Sequence, residues 1–367
     1  MSTSPIPNPQ SPIPNPKFPI SLLGHDAIAE RFRRSIARGR LASTFLFVGP
    51  PGVGKRTFAV WLAQALLCSN AADGALGPFG VCPSCQQVVA GTHPDLEMIR
   101  KPQDRAFIPV ELFIGDREHR MREGLCHNIS LKPFAGGRKI AIIDDADHLN
   151  QEGANCLLKT LEEPPPASLI ILVGTSEQTQ LPTLRSRCQI VRFGALRCED
   201  VAHLLLEAGV TRDPQEAAQW AQLGEGSVQQ AIDLADLEFR DFREQLLRRF
   251  AGSPGSLLGF ASDVNAFVDQ AGKEAPARRD RLRHVVRFAA DFYRSLMLGL
   301  SGLPARGDAA LVAAIQQGLG GWQGDATVAA ACLDRCFDTE GHIASNASLA
   351  LVVECWLDEL GQIARRA

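Results

Sequence analysis

The sequence predicts a parallel α/β domain followed by purely helical ones, on three observations. Short, nearly continuous apolar runs recur at 44–48, 96–100, 140–143, 169–173 and 190–193. Such runs fit strands covered on both faces. Longer stretches of helical period separate them, and strand alternating with helix implies a parallel sheet. After Phe193 the strand pattern stops and helical period continues to the end of the sequence.

Along the chain, residues 1–18 contain Ser-Pro-Ile-Pro-Asn-Pro twice, starting at Ser4 and at Ser11. Proline at that density fixes φ and removes donors, so an extended, disordered tail is expected. The α/β domain is expected over 19–195. Within it, a helix at 56–68 places Phe58, Trp61, Leu62, Ala65 and Leu66 on one face. A second, at 151–163, does the same with Ala154, Leu157, Leu158 and Leu161, and Pro164, Pro165 and Pro166 stop it. Helices at 199–206, 214–223 and 227–237, broken by glycine at 224 and 226, form a small helical unit over 196–240. From 241 to 367 a larger helical domain is expected, with turns at 253–255, 302–304 and 320–324.

Composition excludes several classes. The 367 residues are 45% hydrophobic and 22% charged, with a net charge of −3, so no global basic field advertises nucleic-acid binding. No apolar stretch reaches the roughly 18 residues of a membrane span. The Pro-rich start lacks the basic-then-apolar pattern of a secretory signal, so a cytoplasmic setting is expected. The ten cysteines then read as thiols or metal ligands. Seven of them (Cys126, Cys156, Cys188, Cys198, Cys332, Cys336 and Cys355) read as small buried hydrophobes.

The chemistry begins at Gly49-Pro-Pro-Gly52-Val-Gly54-Lys55, between a strand and a helix. This is the context of a Walker A phosphate loop. Its glycines turn backbone N–H groups toward phosphate, the helix N-terminus adds partial positive charge, and Lys55 reaches the outer phosphates. The next position normally carries the hydroxyl that holds Mg²⁺. Here it is Arg56, and Thr57 follows one residue late, rotated by about 100° on a helix. The loop is therefore compatible with ATP or ADP but not with a properly placed Mg²⁺. Lys139-Ile-Ala-Ile-Ile-Asp144-Asp145-Ala-Asp147 reads as a strand ending in Walker B acids. Asp144 takes the metal-binding position. Asp145 stands where a working ATPase carries Glu, one methylene longer. Upstream, Cys68, Cys82 and Cys85 form a Cys-rich insert whose Cys82-Pro-Ser-Cys85 pair has zinc-knuckle spacing. A structural zinc site is closed by four ligands. Both a zinc site completed by His93 and a degenerate loop of reduced thiols stay open.

Further motifs carry a resemblance. Gly91-Thr-His-Pro-Asp95, Leu157-Leu-Lys-Thr-Leu-Glu-Glu-Pro-Pro165 and Leu184-Arg-Ser-Arg-Cys188 resemble segments of bacterial DNA polymerase III clamp-loader subunits, over about 22–235. Ser345-Asn-Ala-Ser-Leu-Ala-Leu-Val-Val-Glu354 resembles their last collar helix. The resemblance implies an AAA+ core, a helical lid over 196–240 and a helical collar over 241–367 that joins five subunits in a ring. It implies a four-Cys zinc module whose missing ligand falls on Phe79. It also implies that Arg187 is an arginine finger aimed at a neighbour's ATP site, and that Thr175 sits where a γ-phosphate sensor belongs. Motor subunits, gamma or tau, carry Thr, Glu and Arg where this chain has Arg56, Asp145 and Gln229. These departures, and the chain length, resemble the delta-prime stator. The implied partners are gamma/tau and delta subunits, the sliding clamp and primed-template DNA, within a nucleoid-associated replisome. An ATP-hydrolysing motor subunit is the competing reading, and a free-standing AAA+ repair factor a weaker one.

Overall fold

The computed structural model describes residues 22–365, apart from 71–75, 78, 79, 103, 104, 106, 121, 136, 253–256, 258, 273, 306, 323, 345 and 346. The repeated tail, Phe79 and the 253–255 turn lie outside the described residues. The chain divides into two compact units. One gathers the residues up to Ala208 together with Glu225–Gln229; the other gathers Gly209–Gly224 and the residues from Gln230 onward.

The first unit opens with α1 (Asp26–Ala37), β1 (Thr44–Val48), α2 (Lys55–Leu67), α3 (Pro83–Ala90) and β2 (Leu96–Ile99). It continues with α4 (Glu111–Ile114), α5 (Leu125–Asn128), β3 (Lys139–Ile143), α6 (Gln151–Glu162) and β4 (Ser168–Val173). It closes with α7 (Pro182–Arg185), β5 (Gln189–Arg192) and α8 (Cys198–Ala208). The five strands are all parallel, in the order β2-β3-β4-β1-β5. The predicted parallel α/β core is therefore present.

Side chains alternate across the sheet, as the two-residue strand period requires. Phe45, Phe47, Ile140, Ile142, Leu169, Ile171 and Val173 face one core with Phe58, Trp61 and Leu62 of α2. Leu46, Val48, Ala141, Ile143, Ile170 and Leu172 face the other with Leu157 and Leu161 of α6. Every residue of β1 and β4 is buried, which explains why these strands read as unbroken apolar runs. The parallel direction brings the ends of β1, β3 and β4 to one edge, where open α/β sheets bind ligands.

The second unit is helical, with α9 (Pro214–Leu223), α10 (Val228–Ala235) from Gln230 onward, α11 (Leu237–Ala251), α12 (Phe260–Asp269), α13 (Ala275–Leu300), α14 (Ala309–Gly321), α15 (Ala326–Ala344) and α16 (Leu349–Arg365). Phe242 stacks on Phe267 with centroids 4.0 Å apart, and Phe292, Tyr293 and Trp356 are fully enclosed. The helix expected over 227–237 is in fact two. Asp236 accepts the Glu238 N–H at 2.8 Å, capping α11 and ending α10 before it.

Two cysteine expectations need correction. Cys198 and Cys355 are exposed, whereas Cys332 and Cys336 are buried and Cys126, Cys156 and Cys188 are half-buried. Cys198 is the first residue of α8, and Cys355 lies on the outward side of amphipathic α16. No described helix is long and apolar enough to cross a membrane.

Candidate functional site

The loop from Gly49 to Lys55 joins β1 to α2. Gly49, Gly52 and Gly54 all take positive φ, at 152°, 74° and 91°. Two of them are also sterically required. A Cβ on Gly49 would overlap the Phe193 carbonyl, and one on Gly52 would overlap Ser227 Oγ and crowd Gln229. The segment carrying Ser227 and Gln229 is held there by the Val228 N–H, which donates to the Gly52 carbonyl at 3.0 Å. His25 adds a bond between Nε2 and the Val53 carbonyl at 2.7 Å. Lys55 is buried, and its Nζ donates to the Gly49 and Pro50 carbonyls at 2.6 and 2.7 Å. Burial pulls its pKa below the usual lysine range, against the pull of Asp147 and Asp144. The glycine turns and the lysine expected of such a loop are thus in place.

The metal-holding parts have been replaced. Arg56 pairs with Asp144, Nε to Oδ2 at 3.4 Å. Arg100, just beyond β2, pairs with Asp145, Nε to Oδ2 at 3.5 Å. Each acid at the end of β3 thus has a guanidinium where a divalent cation would approach. Burial, then the neighbouring Asp145 charge, pushes the Asp144 carboxyl upward, with Arg56 and Arg100 opposing. Asp145 sits at φ 57°, in the left-handed region. Thr57 is exposed on α2. This donor set does not fit Mg²⁺.

Asp147 has a separate role that the sequence did not reveal. It accepts the Thr175 N–H at 2.7 Å, Thr179 Oγ1 at 2.6 Å and Gln180 Nε2 at 2.5 Å. Thr175 in turn accepts the Gly49 N–H on its carbonyl at 3.0 Å. Its backbone is thereby fixed beside the loop while its side chain stays exposed.

Arg187 occupies the other end of the sheet, just before β5. Thr44 Oγ1, at the start of β1, donates to its carbonyl at 2.8 Å. Its Nε donates to Glu162 Oε1 at 2.6 Å and its NH1 to the Thr183 carbonyl at 2.9 Å. Arg100 and Glu162 are the residues that sequence reasoning missed. The strand order supplies the signal for Arg100: β2 pairs with β3, setting Ile99 opposite Ile143.

Cys68, Cys82 and Cys85 come together, all buried, with their sulfurs within 4.8 Å of one another. The Cys68 and Cys82 sulfurs are 3.8 Å apart. Zinc–sulfur bonds of about 2.3 Å at the tetrahedral angle put sulfurs ~3.8 Å apart, so the trio fits one metal ion. The local fold explains the grouping. Pro83 starts α3, and Cys82 caps it by accepting the Cys85 N–H at 3.4 Å. Burial raises the Cys82 thiol, but hydrogen bonds from Ser69 and Cys85 outweigh it and bring the pKa to about 6. Burial, with bonds to Cys82 and Cys68, pushes Cys85 up to about 12. His93 is not brought to the trio. Its Nδ1 accepts the Asp95 N–H at 3.0 Å and its Nε2 bonds Ser84 Oγ at 2.9 Å. The structure therefore corrects the option of His93 as fourth ligand.

Known proteins can be set beside this geometry. A family described as "DNA polymerase III, delta subunit" matches residues 24–197. DNA polymerase III subunit delta' of Pseudomonas aeruginosa is 35% identical over 151 residues, 41% of this chain and 43% of that relative. DNA polymerase III subunit delta' of Escherichia coli is 30% identical over 224 residues, 61% of this chain and 64% of the relative. DNA polymerase III subunit tau of Escherichia coli is 29% identical over 219 residues, 59% of this chain but 32% of the relative. The aligned part thus spans less than two thirds of each of these relatives. Residues 24–197 are thus similar to the corresponding part of DNA polymerase III clamp-loader subunits.

Proposed function

We propose that the chain is a delta-prime-type stator of a DNA polymerase III clamp loader, a subunit that lends Arg187 to a neighbour's nucleotide site rather than hydrolysing ATP itself. The observation that carries this reading is the placement of Arg187. From Thr44, which holds it, to Gly49 is the whole length of β1, roughly 16 Å of extended chain. Arg187 therefore lies at the opposite end of the sheet from the chain's own glycine-rich loop, which supports a role at a site outside the chain. Arginines supplied in trans stabilise the charge of phosphoryl-transfer transition states in other NTPases.

Relatives named delta' and tau both match, so identity alone does not separate stator from motor. The site does. Arg56 and Arg100 neutralise the acids that a motor needs for Mg²⁺, and Gln229 stands by Gly52 where a motor has Arg. The loop retains the groups that hold phosphate, so ADP or ATP bound without a metal ion is consistent with it. Cys68, Cys82 and Cys85 would hold a structural zinc ion, which orders the loop before α3 and takes no part in phosphate chemistry. Gamma/tau and delta subunits, the sliding clamp and primed-template DNA are the proposed partners, in a cytoplasmic replisome.

Steady-state ATP hydrolysis tests the reading. The isolated chain is expected to be inactive. An assembly with its motor subunits and primed DNA is expected to hydrolyse ATP, and to lose the turnover of the one neighbouring site on Arg187→Ala. Turnover by the isolated chain that disappears on Lys55→Ala would instead make it a motor.

A further inference from the structure

We infer that Glu162 is the counter-ion that parks Arg187, and that the terminal phosphate of a neighbour's nucleoside triphosphate must displace it for the finger to engage. The inference rests on the finger reading above and adds a positioning residue to it.

All three guanidinium nitrogens of Arg187 are occupied within the chain. Nε and NH2 meet the same Glu162 oxygen, while NH1 donates to the Thr183 carbonyl and to Ser186 Oγ. The backbone is anchored separately by Thr44, so the head of the side chain is free to swing while its root stays fixed. Glu162 is the last residue of α6 and is followed by Glu163. A carboxylate at a helix C-terminus faces the negative end of the macrodipole. This position is unfavourable for an acid unless a cation offsets it, and Arg187 is that cation.

The pair is also built to exchange. The Arg187 and Glu162 side chains are 31% and 47% exposed, so their attraction is screened by water and weak. The terminal phosphate of a triphosphate carries more charge and more acceptor oxygens than one carboxylate, and binds a guanidinium in the same forked geometry. Parking thus has two consequences. The finger is held near its working position, and it stays neutralised until a triphosphate is presented. Parking opposes ground-state and transition-state contacts alike, so its loss should appear in KM more than in kcat.

The test is an ATP titration of the reconstituted clamp loader carrying wild type, Glu162→Gln, Glu162→Asp, Arg187→Ala or the Glu162→Gln/Arg187→Ala double variant. Glu162→Gln is expected to raise kcat/KM about two- to fivefold, the range that loss of an exposed ion pair permits, mainly through a lower KM. Glu162→Asp keeps the charge and should stay near wild type. The double variant should match Arg187→Ala, because a counter-ion has no effect once its cation is gone. Glu162→Gln at or below the wild-type value, with Arg187→Ala still impaired, overturns the parking role and leaves the finger standing. The same gain persisting in the double variant also overturns it. An Arg187→Ala assembly with normal turnover would mean that the finger reading has failed as well.

Discussion

The two ends of one parallel sheet hold their charges differently. At the C-terminal end, Asp144 and Asp145 each face an arginine, Arg56 and Arg100, beside the buried Lys55. At the N-terminal end, besides the enclosed Lys139–Asp95 pair, Arg187 and Glu162 form a partly exposed pair. The first arrangement sets a guanidinium against each acid, with side chains from the ends of two strands and from a helix. The second leaves a partly exposed cation whose charged partner, Glu162, is itself half-exposed. A site that satisfies its own charges has little left for a ligand, whereas an exposed and exchangeable arginine is available to another molecule. On the function proposed above, one scaffold keeps the frame of a nucleotide site while the group that acts lies at the opposite edge.

The largest expected effect breaks the second end. Arg187→Ala should slow hydrolysis at the one site it serves by roughly 10³-fold or more, as loss of an arginine finger does elsewhere, read as single-turnover ADP formation in the assembled complex. If both variants assemble, Arg56→Thr should leave that rate unchanged.

Next is the cysteine trio, which touches neither end and serves as a control. Zinc should raise the melting temperature of the wild-type chain. Cys85→Ser, or chelation, should lower it by about 5 °C, at 2–4 °C per kcal/mol for a domain of this size. A thermal unfolding scan with and without zinc checks this, and equal melting temperatures for wild type and variant in zinc would remove the metal assignment.

A smaller effect sharpens the first end. Arg56→Thr alone leaves Arg100 on Asp145. Arg56→Thr with Arg100→Ala frees both acids, and should make nucleotide binding depend on Mg²⁺ by about tenfold, or 1.4 kcal/mol. Fluorescent-nucleotide titrations in Mg²⁺ and in chelator measure it. No Mg²⁺ dependence in the double variant would mean that the ion pairs are not what excludes the metal.

The smallest effect is a pH slope. The folded Asp144 carboxyl titrates above its unfolded value, chiefly through burial. The folded state therefore binds more protons than the unfolded one between the two pKa values, and stability falls as pH rises through that window. Asp144→Asn should remove that fall, a change of a few °C at most. Melting temperatures from pH 4 to 8 would show it; identical slopes for both proteins would place the Asp144 pKa at its ordinary value.

Much of the first end was legible beforehand, because its signals are local. The glycines of 49–54 and Lys55 are contiguous, and the runs that became β1, β3 and β4 needed only their own apolar side chains. Even the misfit at Arg56 follows from counting one residue past a lysine. α1 and α3 were not foreseen: α3 is set by a proline and a cysteine cap inside a segment read for its thiols. The break between α10 and α11 turned on one capping carboxylate, Asp236.

By itself, then, the sequence determined the parallel α/β core, the helical remainder and a glycine-rich loop at 49–55 followed by Arg56 in place of a hydroxyl. Each is written in residues a few positions apart, where periodicity and turn chemistry act. Only the tertiary structure decided which charges meet. Arg100 reaches Asp145 across 45 positions because β2 lies beside β3, and Arg187 reaches Glu162 across 25 because α6 ends near the start of β5. The cysteine trio closes without His93 because Asp95 and Ser84 already hold that ring. Such pairings depend on strand order and side-chain direction, which no local pattern encodes.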